Sequence, residues 1–209
     1  MREAIPNSAN KKASLAEQVE WAQSLELYEQ YVSELRLSHE DLNKRILDVG
    51  ADFGHFAETA KQKGYSDIYS IDIAHPADKY NMDSGIRLGA EKMAVADAFQ
   101  LPFKNETFDL AVSFCAMPNL VKGSNPIDYQ KEVKKVFQEM LRVTKVGGEI
   151  RLGRVVSEYQ RDELLRRGEQ IQKALQWFKA RRRRFETSTE ATGDINGNPA
   201  YLIRIKKLS

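Results

Sequence analysis

Arg45-Ile46-Leu47-Asp48-Val49-Gly50-Ala51-Asp52-Phe53-Gly54 is the stretch on which the fold turns. A short apolar run stopped by glycine reads as a buried strand, and Gly50 allows both a tight turn and close approach of a ligand to the backbone. From Phe53 to Lys63 the pattern is helical, and it stops at Gly64, a residue suited to the position just past a helix end. Strand, glycine turn and helix in that order open a βαβ unit. In an open parallel sheet, ligands sit at the carboxyl ends of the strands, where neighbouring connections diverge. The helix start beyond Gly54 would present unpaired N–H groups and a positive dipole end to an anion there.

The same alternation continues outward. Asp67 to Asp72 (DIYSID), Lys92 to Asp97 (KMAVAD), Asp109 to Phe114 (DLAVSF) and Glu149 to Val155 (EIRLGRV) read as further strands. Asn125-Pro126 opens a helix with a cap and a proline at its first position, striped by Tyr129, Val133, Val136, Phe137 and Met140 and ending near Lys145. A long helix is expected over Gln160 to Lys179, with Leu164, Gly168, Ile171, Leu175 and Phe178 on one face. Arg183 to Ser188 and Tyr201 to Lys206 close the chain as strands, and GDINGNP between them predicts a hairpin-like reversal. At the other end, Ser14-Leu15-Ala16-Glu17 reads as a capping box. Val19, Ala22, Leu25, Tyr28, Val32 and Leu35 behind it form the stripe of an amphipathic helix ending near Leu37. Residues 1–13 offer little to pack and are expected to form a mobile tail. The expected fold is α/β, a doubly wound and mostly parallel seven-stranded sheet with one antiparallel strand near the C-terminus. We read one domain over 14–209, divided into a helical cover (14–40), a core (45–155) and a long helix with a closing hairpin (156–209).

Composition narrows the function classes. With 209 residues, 42% hydrophobic and 30% charged, the chain is long enough to build a core without disulfides or structural metal. Lys and Arg number 32 against 30 Asp and Glu, so the net charge of +2 argues against a dedicated nucleic-acid binder. The single cysteine, Cys115, excludes an internal disulfide framework and any zinc site built on several cysteines. No metal site is expected. No apolar run approaches the roughly 18 residues that span a bilayer, and Met1 to Ser14 lacks the apolar centre of a signal peptide. The expectation is a cytoplasmic protein without membrane contact.

The glycine turn does not fit the nicotinamide fingerprint G-x-G-x-x-G, which would need glycine at 50, 52 and 55, where this chain has Gly50, Asp52 and His55. Its spacing Asp-x-Gly-x-x-x-Gly resembles motif I of the class I S-adenosylmethionine-dependent methyltransferases, usually D/E-x-G-x-G-x-G. Asp72 ends the second strand about 20 residues after the glycine turn, where an acidic residue can accept both ribose hydroxyls. VADAFQLPFKNETFDLAV is similar to the family's G-D-A-x-x-L-P-F-x-x-x-x-F-D-x-x-V signature at Asp97, Ala98, Leu101, Pro102, Phe103, Phe108, Asp109 and Val112. Glu139 to Gly148 (EMLRVTKVGG) is similar to the family's E-x-x-R-V-L-K-P-G-G turn. These motifs stand in order over residues 45–155. The nearest resemblance is to small-molecule methyltransferases related to quinone-biosynthesis enzymes, which have a Rossmann-like sheet.

That resemblance implies particular roles. Backbone at Gly50 and Ala51, with the helix beyond Gly54, would hold the methionine part of S-adenosylmethionine, and later of the product S-adenosylhomocysteine. Asp48 would fix the loop or meet the ammonium through water. Asp72 would bind the ribose, Asp97 the adenine amine and the Ala98 N–H the ring. Ile73 and Phe99 would sandwich the adenine, and Phe114, at the end of the fourth strand, would join the cofactor wall. The sulfonium is already activated, so the protein mainly aligns acceptor, methyl and sulfur, and no catalytic residue is assigned. The expected partner is a small-molecule methyl acceptor.

Alternatives stand beside these readings. Asp72 and Asp97 either bind nucleoside or merely cap the helices that follow their strands. His55 either deprotonates an acceptor or is an ordinary hydrogen-bonding residue, and Cys115 either attacks substrate or is a small buried hydrophobe. Tyr28 and Tyr31 either cover the cofactor or pack in the core, and Met117-Pro118-Asn119, a partial match to the N/D-P-P-Y of amino-methyltransferases, makes Asn119 a candidate substrate contact without implying that chemistry. Asp52 in place of the central motif glycine requires a left-handed turn that Asp tolerates. The stretch 74–89 is polar and irregular. The basic run Arg181 to Arg184, with Arg166, Arg167 and Lys173, either solvates a helix end or binds RNA. The rival functions are therefore an RNA methyltransferase using the Arg166–Arg184 face, and a catalytically silent S-adenosylmethionine-binding protein.

Overall fold

The computed structural model describes residues 15–73, 92–121, 123, 125–156, 162–181, 183–195 and 198–209. The tail 1–13, the Ser14 cap, the stretch 74–89 and the side chains of Leu164, Arg166 and Arg167 lie outside the described residues. Among those described, seven strands form one sheet in the order β3-β2-β1-β4-β5-β7-β6. They are β1 (Ile46–Val49), β2 (Ile68–Asp72), β3 (Met93–Val95), β4 (Phe108–Phe114), β5 (Thr144–Val156), β6 (Phe185–Ile195) and β7 (Asn198–Lys207). β7 runs antiparallel to both its neighbours, and the pairings among β1 to β5 are parallel. All four residues of β1 are buried, as expected of a central parallel strand.

The helices are α1 (Leu15–Glu34), α2 (His39–Leu42), α3 (His55–Gln62), α4 (Met117–Leu120), α5 (Pro126–Val143) and α6 (Asp162–Lys179). Tyr28, Tyr31, Leu35 and Phe56 pack with Ile46, Leu110, Val112 and Phe114 on one side of the sheet. Val133, Phe137, Met140, Ile171, Leu175 and Phe178 pack with Leu47, Ala111, Ile150 and Leu152 on the other. Full burial of such a side chain contributes roughly 1.5–3 kcal/mol, so these two layers hold the sheet between helices.

Several boundaries differ from the expectation, each for a physical reason. The helix expected from Phe53 starts at His55, because Asp52 (φ 52) and Gly54 (φ 73) are both left-handed and cannot be helical. α1 stops at Glu34, since Arg36 has φ 52, yet Leu35 and Leu37 remain buried beyond its end. The SHED segment holds a helix that the pattern did not predict, α2, closed by a reciprocal box between Ser38 and Asp41. α5 ends at Val143 rather than near Lys145. The hydroxyl of Thr144 donates to the Met140 carbonyl, and Thr144 already pairs with Phe108 of β4. The Lys145–Gly148 turn is thus a bulge inside β5 before Glu149 meets Leu110. β6 and β7 extend into the predicted reversal, with Asp194 paired to Pro199 and Ile195 to Asn198. Proline is tolerated there because, among the described residues, the last pairing of β7 with β5 is at Ala200, so Pro199 has a strand neighbour on one side only.

Two polar anchors set the loops. Arg142 donates to the carbonyls of Leu101 and Phe103 and to Asn105, while pairing with Glu139, which accepts the Leu101 N–H. Buried Arg151 of β5 donates to the carbonyls of Leu35 and Arg36 and pairs with Asp41 and Glu149. Burial alone would raise the Asp41 carboxyl; Lys44, the Ser38 N–H and Arg151 together hold it well below the usual carboxylate range.

Candidate functional site

The chain leaves β1 toward β2 and β3 on one side and returns to β4 on the other, so connections diverge at the carboxyl ends of β1 and β4. The Gly50–Gly54 turn lies there. The N–H groups of Gly50 and Ala51 both donate to the carbonyl of Ile71, at 2.9 and 3.0 Å, which folds the turn back over β2. The Gly54 N–H donates to Ala51. The Asp52 N–H donates to Oδ2 of Asp72 at 3.1 Å, across 20 residues of sequence. Asp52 takes the left-handed conformation its position requires, so the turn closes without the motif's central glycine. The donors of Gly50 and Ala51 are thus spent inside the protein.

Gly50 (φ 78) also lies against the segment after β4. A Cβ on it would stand 2.4 Å from Cβ of Ala116 and 3.4 Å from Cδ2 of Leu120. Cys115, which begins that segment, has φ 57, and its N–H donates to the carbonyl of Gly153. Left-handed non-glycine residues at 52 and 115 thus flank the same strand ends, where backbone strain commonly accompanies function. Burial pushes the Cys115 thiol up, against the opposing effect of Arg154. Cys115 is nevertheless exposed, so it is not a small buried hydrophobe, and its raised thiol is a poor nucleophile at neutral pH.

Asp48 is fully buried in β1. Its Oδ1 accepts the phenol of Tyr31 in a long contact of 3.5 Å, and its Oδ2 has no partner among the described residues. Burial pushes this carboxyl up to about 8; the Tyr31 phenol opposes the shift and the nearby Asp72 charge adds to it. Tyr31 itself stacks on Phe56 at 4.4 Å and leans on Phe114 at 4.5 Å. Burial, and then the Asp48 charge, hold its phenol well above the ordinary value. Tyr28 stacks on Phe56 more loosely, at 5.8 Å. Both tyrosines are therefore core residues, and Tyr31 also touches the motif aspartate. Phe114 is buried beneath Tyr31, with the Arg154 guanidinium 5.4 Å over its ring.

Asp72 is buried to 8% exposure at the end of β2, and the next residue, Ile73, is an apolar side chain left 57% exposed. Asp97 follows β3 and is exposed; its Oδ1 accepts the Phe99 N–H at 2.8 Å. Ala98 is buried and Phe99 half-buried against the core. Asp97 braces the turn that follows it, whereas Asp72 holds the earlier Gly50–Gly54 turn through the Asp52 N–H, and register places both at the same sheet edge, since Asp72 pairs with Val95. His55 opens α3 with Nδ1 3.1 Å from the hydroxyl of Ser24, tying α3 to α1. Asn119 is exposed on α4, and its N–H donates to Ala116.

The basic run lies elsewhere. Arg184 precedes Phe185, the first residue of β6, and its carbonyl accepts the Leu208 N–H, at the edge where β4 and β5 begin. Arg181 lies 3.6 Å over the Trp177 ring. A cavity of about 380 Å³ opens at that far edge, its charged lining of both signs including Lys44, Asp109, Arg151 and Glu186. Among the described residues no group of three or more His, Cys, Asp and Glu could hold a metal ion, and no helix is long and apolar enough to cross a membrane.

A doubly wound sheet whose seventh strand is reversed, with aspartates in β1, at the end of β2 and just after β3, defines an α/β class in which ligands sit at the carboxyl ends of the strands. The chain belongs to the methyltransferase domain family, whose sequence profile matches residues 47–152. Its fold is similar to the N-methyltransferase NodS from Bradyrhizobium japonicum in complex with S-adenosyl-L-homocysteine: 18% identity, 87% of each chain covered, TM-score 0.55. It is also similar to magnesium protoporphyrin IX methyltransferase from Synechocystis with bound S-adenosylmethionine: 14% identity, 95% of this chain and 87% of that one, TM-score 0.53. A curated relative, a tRNA (carboxymethyluridine(34)-5-O)-methyltransferase from Arabidopsis thaliana, is 34% identical over 77 residues, or 37% of this chain. The match spans 16% of that relative's length.

Proposed function

We propose that this protein is an S-adenosylmethionine-dependent methyltransferase, cytoplasmic, that methylates a small molecule by direct in-line transfer. The residues at the strand ends fit that cofactor. Asp48 carries a buried oxygen with no partner among the described residues, suited to a cationic group. Asp72 and Asp97 are acceptors for hydroxyl and amine hydrogens, and exposed Ile73 with half-buried Phe99 offers apolar surface to a purine. Gly50 and Ala51 supply backbone acceptors, and Gly54 starts the helix beyond. Bound S-adenosylmethionine supplies an activated methyl group. The chain's own part is to hold the nucleoside, close the Asp48 side against water with Tyr31, Phe56 and Phe114, and present an acceptor beside Ala116 to Leu120.

The observation that favours a small acceptor over RNA is the position of the basic run. Arg181, Arg183 and Arg184 lie at the amino edge of the strands, and the glycine turn, Asp72 and Asp97 lie at the carboxyl edge; the side chains of Arg166 and Arg167 lie outside the described residues. A nucleic acid held by those arginines would be anchored a full strand length away from the methyl group. The test is incubation of the protein with methyl-labelled S-adenosylmethionine and cell extract separated into an RNA fraction and an RNase-treated small-molecule filtrate. Label is expected in the filtrate. Label in the RNA fraction would establish the nucleic-acid reading, and cofactor binding without label in either fraction would establish the silent one.

A further inference from the structure

The buried carboxyl of Asp48 has a chemistry that the methyl-transfer reading leaves unused. It is fully buried, no cation pairs with it among the described residues, and its sole described hydrogen bond is the long contact from Tyr31. Ser70, its register partner on β2, is also buried with its hydroxyl unpaired among the described residues. A carboxylate so placed is costly to ionise, and the group is favoured as the neutral acid until a positive charge arrives. The groups facing this pair are Tyr31 from α1, Asp72 from β2, and, toward the phenol, Asp52 of the turn and Cys115 after β4. Of these, none is a cation.

We propose that Asp48 and Tyr31 form a proton-coupled latch: entry of the donor's ammonium group expels the Asp48 proton to solvent, and the resulting carboxylate shortens the long contact from the Tyr31 phenol and holds α1 more tightly on the core. This rests on the placement of the donor's methionine end beside Asp48. In the step the Asp48 O–H bond breaks, the electron pair stays on the carboxylate, and the proton passes to buffer. Tyr31 acts as a positioning residue, because it reaches the ligand only through Asp48. The raised carboxyl, near 8, puts the expelled proton within the neutral range. α1 has a separate tether in the ion pair of Glu34 with Arg154 at 2.9 Å, so a change at Tyr31 leaves the helix attached.

The sign of the pH dependence follows from linkage. Below the folded-state value the free protein holds a proton that the complex lacks, so affinity for an ammonium-bearing ligand rises with pH, by about tenfold per unit, until Asp48 is ionised. The experiment is calorimetric titration of S-adenosylhomocysteine in buffers of different ionisation enthalpy, with 5′-methylthioadenosine, which lacks the ammonium, as the second probe. Wild type is expected to release close to one proton with the first ligand and none with the second. Asp48→Asn is expected to release none with either. Tyr31→Phe is expected to keep the proton release, bind about fivefold more weakly, and lose the ligand-induced hydrogen-exchange protection of α1 that wild type shows. S-adenosylhomocysteine binding to wild type without proton release would overturn the latch while leaving the cofactor reading intact. Proton release with 5′-methylthioadenosine, or unchanged α1 protection in Tyr31→Phe, would also overturn it. Absence of binding by both ligands would instead overturn the cofactor reading.

Discussion

Replacing Asp72 by alanine is expected to weaken S-adenosylhomocysteine binding by about 10- to 150-fold, the equivalent of roughly 1.5–3 kcal/mol for a hydrogen bond to a charged group. Two losses act together. The nucleoside loses an acceptor, and the Asp52 N–H loses the Oδ2 partner that closes the glycine turn. Asp72→Asn separates them, because an amide oxygen can still accept from Asp52 without carrying charge. Its affinity should fall between those of wild type and the alanine variant. Calorimetry reads all three proteins. Equal affinities would show that the ribose does not lie at the end of β2.

Gly50→Ala is expected to do more damage to the fold than any comparable change at an exposed glycine. A left-handed non-glycine residue costs roughly 1–2 kcal/mol. The added methyl would also stand 2.4 Å from Cβ of Ala116, so the β4–α4 segment must move, at a typical further cost of about 1–3 kcal/mol. Together these predict a destabilisation of about 2–5 kcal/mol, with cofactor binding lost or severely weakened. Ala116→Gly in the same chain removes the overlap but not the backbone strain. The double variant should therefore recover part of the loss, a coupling that denaturant unfolding can measure. A Gly50→Ala protein as stable as wild type, with normal binding, would contradict the contact between the turn and the segment after β4.

Elements governed by local chemistry were legible in the sequence. Asn125-Pro126 reads as a helix start, and the Asn125 side chain does accept from the N–H groups of Ile127 and Asp128. The Ile46–Val49 run reads as a buried strand because a central parallel strand is covered on both faces. Less visible was whatever depends on partners distant in the chain. α2 rests on Asp41 meeting Arg151, 110 residues away, though its Ser-x-x-Asp box was a local signal that could have been used. The extended β6–β7 pairing overrides glycine, asparagine and proline content through an edge position and a bulge near Gly193. In the candidate site the aspartates were readable from spacing. Tyr31 was not assignable between cover and core, because a helical stripe cannot say that its phenol reaches the β1 aspartate. Nor does sequence reveal that the Gly50 and Ala51 donors are already committed to Ile71.

The most direct measurement is a crystal structure of the protein with S-adenosylhomocysteine. We predict ribose hydroxyls on Asp72, the adenine between Ile73 and Phe99 with its amine toward Asp97, and the amino-acid end over the Gly50 turn beside Asp48. A nucleoside bound at the opposite edge of the sheet, or a ligand that leaves Asp72 and Asp97 untouched, would contradict the account.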